Sequence, residues 1–288
     1  MGITTSQQLQ RYYELYKDND VTFTKEVIAA INLLPKHIFF KCIGSQWPCL
    51  ICSASMNGAR LFATLNETFY EQIKKSGNII QIRFAFKQED KNDPLSFYIS
   101  SKVTGFTPYG KTDKDINFLT TVYTQKPPDS FIEIVGGLLD ATMDSQKRKE
   151  DRIVITGDIA RELALKMKET VIDIEQVPRK CLIRDLSYSG AKVILIGIAK
   201  YLINKPAVLK IWFEDSKEAV EIPGLVLRDE AVSGRKDVTA IAVKFDEQRI
   251  PIEYKMRINQ YLKHPVKLAV KSRQSDPAKS TRTNGKTG

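Results

Sequence analysis

Two stretches of this chain, CLICSASMNGARLF at residues 49–62 and CLIRDLSYSGAKVI at residues 181–194, stand 132 positions apart and share six identical residues in fourteen. Arg60 matches Lys192 in kind, and Leu61 matches Val193. After each stretch comes a strand-like run with aromatics near its end (IIQIRFAF, AVLKIWFE), then further such runs, then a terminal apolar segment. A shared order of elements on top of a local match is the mark of duplication, so the chain reads as two related domains. Its 288 residues leave room for both, because single cores fill at about 100–200 residues.

The texture of both halves is β. Leu9, Tyr12, Tyr13 and Tyr16 predict a short amphipathic helix over residues 4–17, and Thr24 caps a second helical patch that ends at Pro35. From residue 38 to 123, short β-branched and aromatic runs are broken at Gly44-Ser45, Met56-Asn57-Gly58, Ser76-Gly77-Asn78 and Asn92-Asp93-Pro94. Strands at such spacing build a barrel or sandwich. Residues 131–139 (FIEIVGGLL) fit either a helix or a strand, and the polar ATMDSQKRKEDR at 141–152 reads as a linker. Strands resume at 153, pause for a helix over 158–170, continue to 245, and give way to a closing helix at 252–262. The expected fold is therefore mainly β: two related antiparallel barrels of the six-stranded type with flanking helices. The expected domains are 1–140, the linker 141–152, a second barrel at 153–265, and a disordered basic tail at 266–288.

Charge and residue chemistry narrow the function. The net charge is +10, and the tail supplies half of it. Such a tail binds acidic surfaces weakly or is simply solvated. No apolar run approaches the roughly 18–20 residues of a membrane span, and the N-terminus lacks a secretory pattern. Four scattered cysteines make no disulfide framework, which suits a cytoplasmic protein. Cys49-x-x-Cys52 has metal or redox spacing but no second ligand pair, so no metal is expected. His37 and His264 are too far apart in sequence to suggest a dyad, while Trp47 and Trp212 read as core or interface residues. Phosphate-binding loop, nucleophile elbow and zinc-helix motifs are missing, and no enzyme or cofactor is expected.

Two clusters remain. Arg148 and Arg152 are four apart, hence on one side of the chain whether helical or extended, and their planar forks suit phosphate or the O6/N7 edge of guanine. Asp185, Ser187 and Gly190 lie where one strand ends and the next begins. The carboxylate and hydroxyl share a strand face, and the glycine is read as allowing a tight turn with positive φ and close approach of a ligand. Alone, the first is also what a solvated charge run looks like, and the second an ordinary Asx turn.

Together, Arg148-x-x-x-Arg152 and Asp185-x-Ser187-x-x-Gly190 resemble the signature of the PilZ family of bacterial cyclic di-GMP receptors. The resemblance runs from about Ser145 to Leu262. It implies a six-stranded barrel, arginines wrapped round the dinucleotide's phosphates and guanine edges, and a strand face carrying Asp185 against a base. Lys147, Arg184 and Arg228 are candidate further contacts, with Arg179 a weaker one. One departure is the long interval between Arg152 and Asp185, attributed to an inserted helix at 158–170. The first half keeps Ser55 and Gly58 but has Ser53 in the aspartate's place and no arginine pair, resembling a degenerate PilZ-like partner domain. The expected function is a cyclic di-GMP receptor whose linker becomes ordered by ligand, altering the domain arrangement to signal to a downstream partner not identified by sequence. The alternative is a nucleic-acid-binding protein using basic barrel surfaces and the tail.

Overall fold

A computed structural model describes residues 4–88, 91–109, 115–197, 200–232 and 234–263. The first half contains α1 (Ser6–Tyr16), β1 (Val21–Thr22), α2 (Lys25–Ala30), β2 (Phe39–Cys42), β3 (Ser45–Pro48), β4 (Leu50–Ala54) and β5 (Gly58–Thr64). It continues with α3 (Glu67–Lys75), β6 (Ile79–Phe86), β7 (Leu95–Pro108), β8 (Ile116–Tyr123) and α4 (Asp129–Lys147). The second half contains β9 (Ile153–Val154), α5 (Gly157–Glu162), β10 (Val171–Ile174), β11 (Val177–Leu186) and β12 (Gly190–Ile196). Then come β13 (Pro206–Ile211), β14 (Val220–Val232), β15 (Arg235–Phe245) and α6 (Ile252–Lys263). The fold is mainly β, as the strand texture predicts. Among the described residues no helix is long and apolar enough to cross a membrane.

The second sheet closes. β10 pairs with both β13 and β11, so the order β10-β13-β14-β15-β12-β11 returns to its start as a six-stranded antiparallel barrel with β9 on the outside of β11. The first is an eight-stranded curled sheet ordered β1-β4-β5-β8-β7-β6-β2-β3. Its end strand β3 and the penultimate strand at the other end, β4, are consecutive in the chain, separated by Cys49 alone. Pro48 beside the break brings no N–H to a ladder. Each sheet encloses its own apolar core, with Phe40, Leu61, Phe69 and Phe84 in the first and Leu209, Phe213, Ile222 and Tyr254 in the second. Helix α6 serves both: Tyr254 and Ile258 enter the second core, while Ile252 and Met256 lie against the first.

The duplication is more extensive than the fourteen-residue match. A shift of 132 residues carries β1 onto β9, α2 onto α5, β2 onto β10 and β5 onto β12, residue for residue. It also carries the β-bulge between Ile51 and Ser53 onto that between Ile183 and Asp185. The left-handed residue ending the first short helix, Asn32 with φ 56°, maps onto Ala164 with φ 54°. Both close a Schellman-type C-cap, with Leu33 N donating to Ile28 O at 3.0 Å and Leu165 N to Ala160 O at 2.7 Å. Past β5 the register changes, because Phe39 faces Arg83 while its counterpart Val171 faces Lys210.

Three readings of the sequence are corrected. The helix over 158–170 stops at Glu162, because Ala164 turns left-handed and Leu165 bridges to Phe213; a 3-10 turn, Met167–Glu169, follows. It is no insertion peculiar to the second half, since α2 repeats it in the first. Residues 141–147 are the last turns of α4, where Ala141 and Ser145 are buried, and are not open linker. Helix α3 is absent from the expectation altogether; Asn66 caps it by accepting from Phe69 N at 3.0 Å, and Phe69 and Ile73, one turn apart, are its buried face. The basic tail lies outside the described residues.

Candidate functional site

The two arginine positions flank a short turn between the domains. Arg148 is the C-cap residue of α4, and Asp151 N donates to its carbonyl at 3.1 Å. That turn delivers Arg152 to the start of β9, which pairs with β11 so that Val154 faces Asp185 and Ile153 faces Leu186. Arg152 Nη1 then donates to Asp185 Oδ1 at 2.7 Å, with the arginine side chain 43% exposed and the carboxylate 11%. The intervening residues are held too. Ser189 N donates to Lys149 O at 3.3 Å, Ser189 Oγ to Glu150 Oε1 at 3.2 Å, and Lys149 Nζ pairs with Glu247 at 2.6 Å. The segment 148–152 is thus docked on the Asp185–Gly190 turn, which does not fit a linker free until ordered by ligand.

The other two motif residues do something different from what sequence alone suggests. Ser187 is fully buried, and its hydroxyl closes the turn by accepting from Gly190 N and donating to Gly190 O, each at 3.1 Å. Its side chain therefore serves the turn and does not share an exposed face with Asp185. Gly190 is not among the residues with positive φ. A Cβ there would stand 2.4 Å from Val243 O on the neighbouring strand, so glycine is demanded by the close approach of β15. Gly58 meets the same constraint, its Cβ position being 2.2 Å from Thr121 O.

A row of facing residues runs across the barrel wall from this turn: Asp185 on β11, Lys192 on β12, Ala242 on β15 and Arg228 on β14. Glu230 bridges the two cations, accepting from Lys192 Nζ at 2.9 Å and Arg228 Nε at 3.1 Å. Those bonds, the lysine's first, hold its carboxyl below the usual range. Arg228 and Asp185 therefore belong to one surface row. Lys192 is a further candidate that the sequence reading does not include; the signal is its place two residues after Gly190 on an alternating strand, hence on the same outward side. Lys147 is exposed beside Arg148, and Arg184 is exposed at the bulge next to Asp185. Arg179 is not part of this group, since it sits six residues along β11 facing Ile172, about 20 Å away for an extended chain. Three cations, Arg152, Lys192 and Arg228, thus accompany Asp185 and Glu230, with Arg148 at the other end of the docked turn, an arrangement that suits a ligand with phosphates and base edges.

In the first domain the same scaffold is present without the arginine pair or the aspartate, and of the cationic row it keeps only Arg60, where Lys192 stands. The 132-residue shift places Tyr16 where Arg148 stands, Asp20 where Arg152 stands and Ser53 where Asp185 stands. Even the latch is repeated: Asn57 Nδ2 donates to Asp18 Oδ1 at 2.6 Å, where Ser189 meets Glu150 in the second domain. An acidic residue at the arginine position opposes an anionic ligand. The Cys49-x-x-Cys52 pair is made of free thiols, and burial pushes Cys49 up to about 12, which makes it a poor nucleophile or metal ligand.

Comparison with known proteins agrees with this division. Residues 7–142 match the PilZN3 domain and residues 146–264 the PilZ domain. A Treponema denticola protein named "Cyclic di-GMP binding protein" is 46% identical over 261 residues, covering 91% of this chain and 83% of its own. Among solved structures, the Borreliella burgdorferi PlzA protein in complex with c-di-GMP is 26% identical, with 89% of this chain and 98% of that one covered and a TM-score of 0.41. The K. pneumonia MrkH–c-di-GMP complex is 12% identical, with 88% and 99% covered and a TM-score of 0.31.

Proposed function

The chain belongs to the PilZ domain family, and on that premise we propose that it is a receptor for cyclic di-GMP, with no catalytic role, whose second domain holds the dinucleotide. The relative of 46% identity carries that ligand in its name. The observation that carries the residue-level reading is the 2.7 Å contact of Arg152 with Asp185, which joins the two motifs across 33 residues of sequence.

One guanidinium N–H engaged on Asp185 leaves four donors and fixes the plane of the group. Arg152 is thereby oriented for a phosphate or a guanine edge, and it gives up little rotamer freedom on binding. Arg148, at the other end of the same turn, supplies the second fork. Asp185 Oδ2 is the natural acceptor for guanine N–H groups, and Lys192 and Arg228 extend the cationic row along the barrel wall. Ser187 and Gly190 act by shaping the turn.

Titration calorimetry of the whole chain tests this. Cyclic di-GMP should bind and cyclic di-AMP should not. Arg152→Ala should weaken binding at least tenfold, since a charge-assisted contact is worth about 1.5–3 kcal/mol. Equal affinity for the two dinucleotides, or an unaffected Arg152→Ala, refutes the assignment. Affinity that falls steeply with salt and accepts any nucleic acid would favour the polyanion reading instead.

A further inference from the structure

The turn that carries Ser187 is tied to the first domain by a buried polar chain. Tyr254 Oη donates to Ser187 O at 2.7 Å, anchoring the turn to α6. The next residue, Tyr188, donates from its hydroxyl to Asn259 Oδ1 at 3.1 Å, and Asn259 Nδ2 donates to Asp140 Oδ2 at 3.2 Å. Asp140, on α4, is only 2% exposed. Its other oxygen accepts from Tyr16 Oη of α1 at 2.9 Å, and Oδ2 also takes the Lys263 ammonium and a longer 3.3 Å contact from Tyr12. Lys263 bonds Asp144 as well, at 3.1 Å. Helix α1 can reach α4 this closely because residue 136 is glycine; a Cβ there would come within 2.7 Å of Tyr12 Cβ.

Tyr188 is 1% exposed, so although it sits inside the Asp185–Gly190 segment it does not meet a ligand on the surface. Burial raises the phenol's pKa, so the group is a neutral donor at physiological pH. A buried donor with one partner is costly to strand and sharply directional. Every link from the turn to α1 is of that kind, and the two ends belong to different domains.

We propose that Asp140 is a positioning residue for the dinucleotide site: it holds Asn259 and Tyr188, and through them the Ser187–Gly190 turn, in register with helix α1 of the first domain. This rests on the cyclic di-GMP reading above. The first domain, which carries an acidic residue in place of the clamp arginine, then acts on ligand affinity through α1 without touching ligand, and by reciprocity the ligand acts on α1. The relay replaces an ordering linker as the connection between site and partner domain.

The test uses the full chain. Tyr16→Phe removes one hydroxyl from the first domain, and Tyr188→Phe removes one from the turn. Each should weaken cyclic di-GMP binding about two- to tenfold in calorimetry, the range expected for one hydrogen bond. Combined, they should cost less than the product of the single effects, because either one already breaks the chain. Tyr13→Phe, on the same helix but outside the cluster, should bind like the unmodified protein. Gly136→Ala, which displaces α1 by packing alone, should weaken binding in the same direction as Tyr16→Phe. A general loss of stability would lower the melting temperature without selecting Tyr16 over Tyr13 in affinity. Affinities of folded Tyr16→Phe and Tyr188→Phe within twofold of the unmodified chain overturn the proposal. If the unmodified chain binds no cyclic di-GMP, the function assigned above is what fails. Amide exchange then reads the relay by itself: faster exchange at Ser189 and Gly190 in Tyr16→Phe sustains it, and identical exchange ends it.

Discussion

Replacing Gly190 with alanine separates what the motif glycine does for the barrel from what it does for a ligand. The added Cβ would stand 2.4 Å from Val243 O and 3.6 Å from Lys244 Cα, and both atoms are backbone. Real Cβ contacts essentially never fall below 3.0 Å, so β12 and β15 must part by at least about 0.6 Å at the pair Gly190–Lys244. Neither strand is free to move, because β12 is held by β11 on its other side and β15 by β14. Overpacking of this kind costs about 1–3 kcal/mol. The narrower unfolded ensemble of alanine returns about 0.4–1 kcal/mol of stability. With a net loss of about 1–2 kcal/mol, the second domain should melt roughly 5–10 °C lower in calorimetry. Gly58→Ala, whose Cβ would meet Thr121 O at 2.2 Å, should lower the first domain's transition by a similar amount. Cyclic di-GMP affinity should suffer more from Gly190→Ala than from Gly58→Ala, since only the former distorts the turn next to Asp185. A Gly190→Ala protein that melts within about 1 °C of the unmodified chain would show that the close approach of β15 is not why glycine stands there.

Phe69, fully buried on α3 against Phe40 and Trp47, should cost about 3–5 kcal/mol when cut to alanine, measured by urea denaturation. Ala164→Gly should stabilise the second domain by roughly 0.5–1 kcal/mol, because the residue sits at φ 54° and glycine carries no Cβ penalty there; a lower melting temperature would contradict the left-handed cap. Iodoacetamide with mass-spectrometric mapping at neutral pH should modify Cys52 before Cys49 or Cys181, both of which are buried with thiols pushed up to about 12. The same shift sets an alkaline limit. Between about pH 9 and 12 the unfolded chain ionises these thiols while the folded one does not, so stability should fall as pH rises by up to about 1.4 kcal/mol per unit for each thiol; a flat denaturation midpoint across that window would argue against buried thiols.

Much of this protein was readable in one dimension because it depends on local pattern. β-branched and aromatic runs between turn residues marked the strands, and the 49–62 and 181–194 match announced two related domains. The motif spacing singled out Arg148 and Arg152, which stand at the two ends of one turn, and the alignment of the halves showed Ser53 in place of Asp185. What the sequence did not carry was the set of relations between residues far apart in it. Helix α3 escaped notice because its apolar face is only Phe69 and Ile73, a signal too small to stand out until Phe40 and Trp47 pack against it. The polar run 141–147 looked like a linker because its few buried positions, Ala141 and Ser145, are small and weakly apolar, and only packing turns them into a helix face. Gly190 was rightly singled out for the wrong reason: a turn is a local matter, but the carbonyl of Val243 that forbids a side chain lies 53 residues on. Lys192, Glu230 and Arg228 meet only because β12 and β14 pair with the two edges of β15, and Asp140 meets Tyr16, Asn259 and Lys263 only because three helices converge. Hydrogen bonds and close contacts act over a few ångströms of space, and nothing in the order of residues states which distant ones will share it.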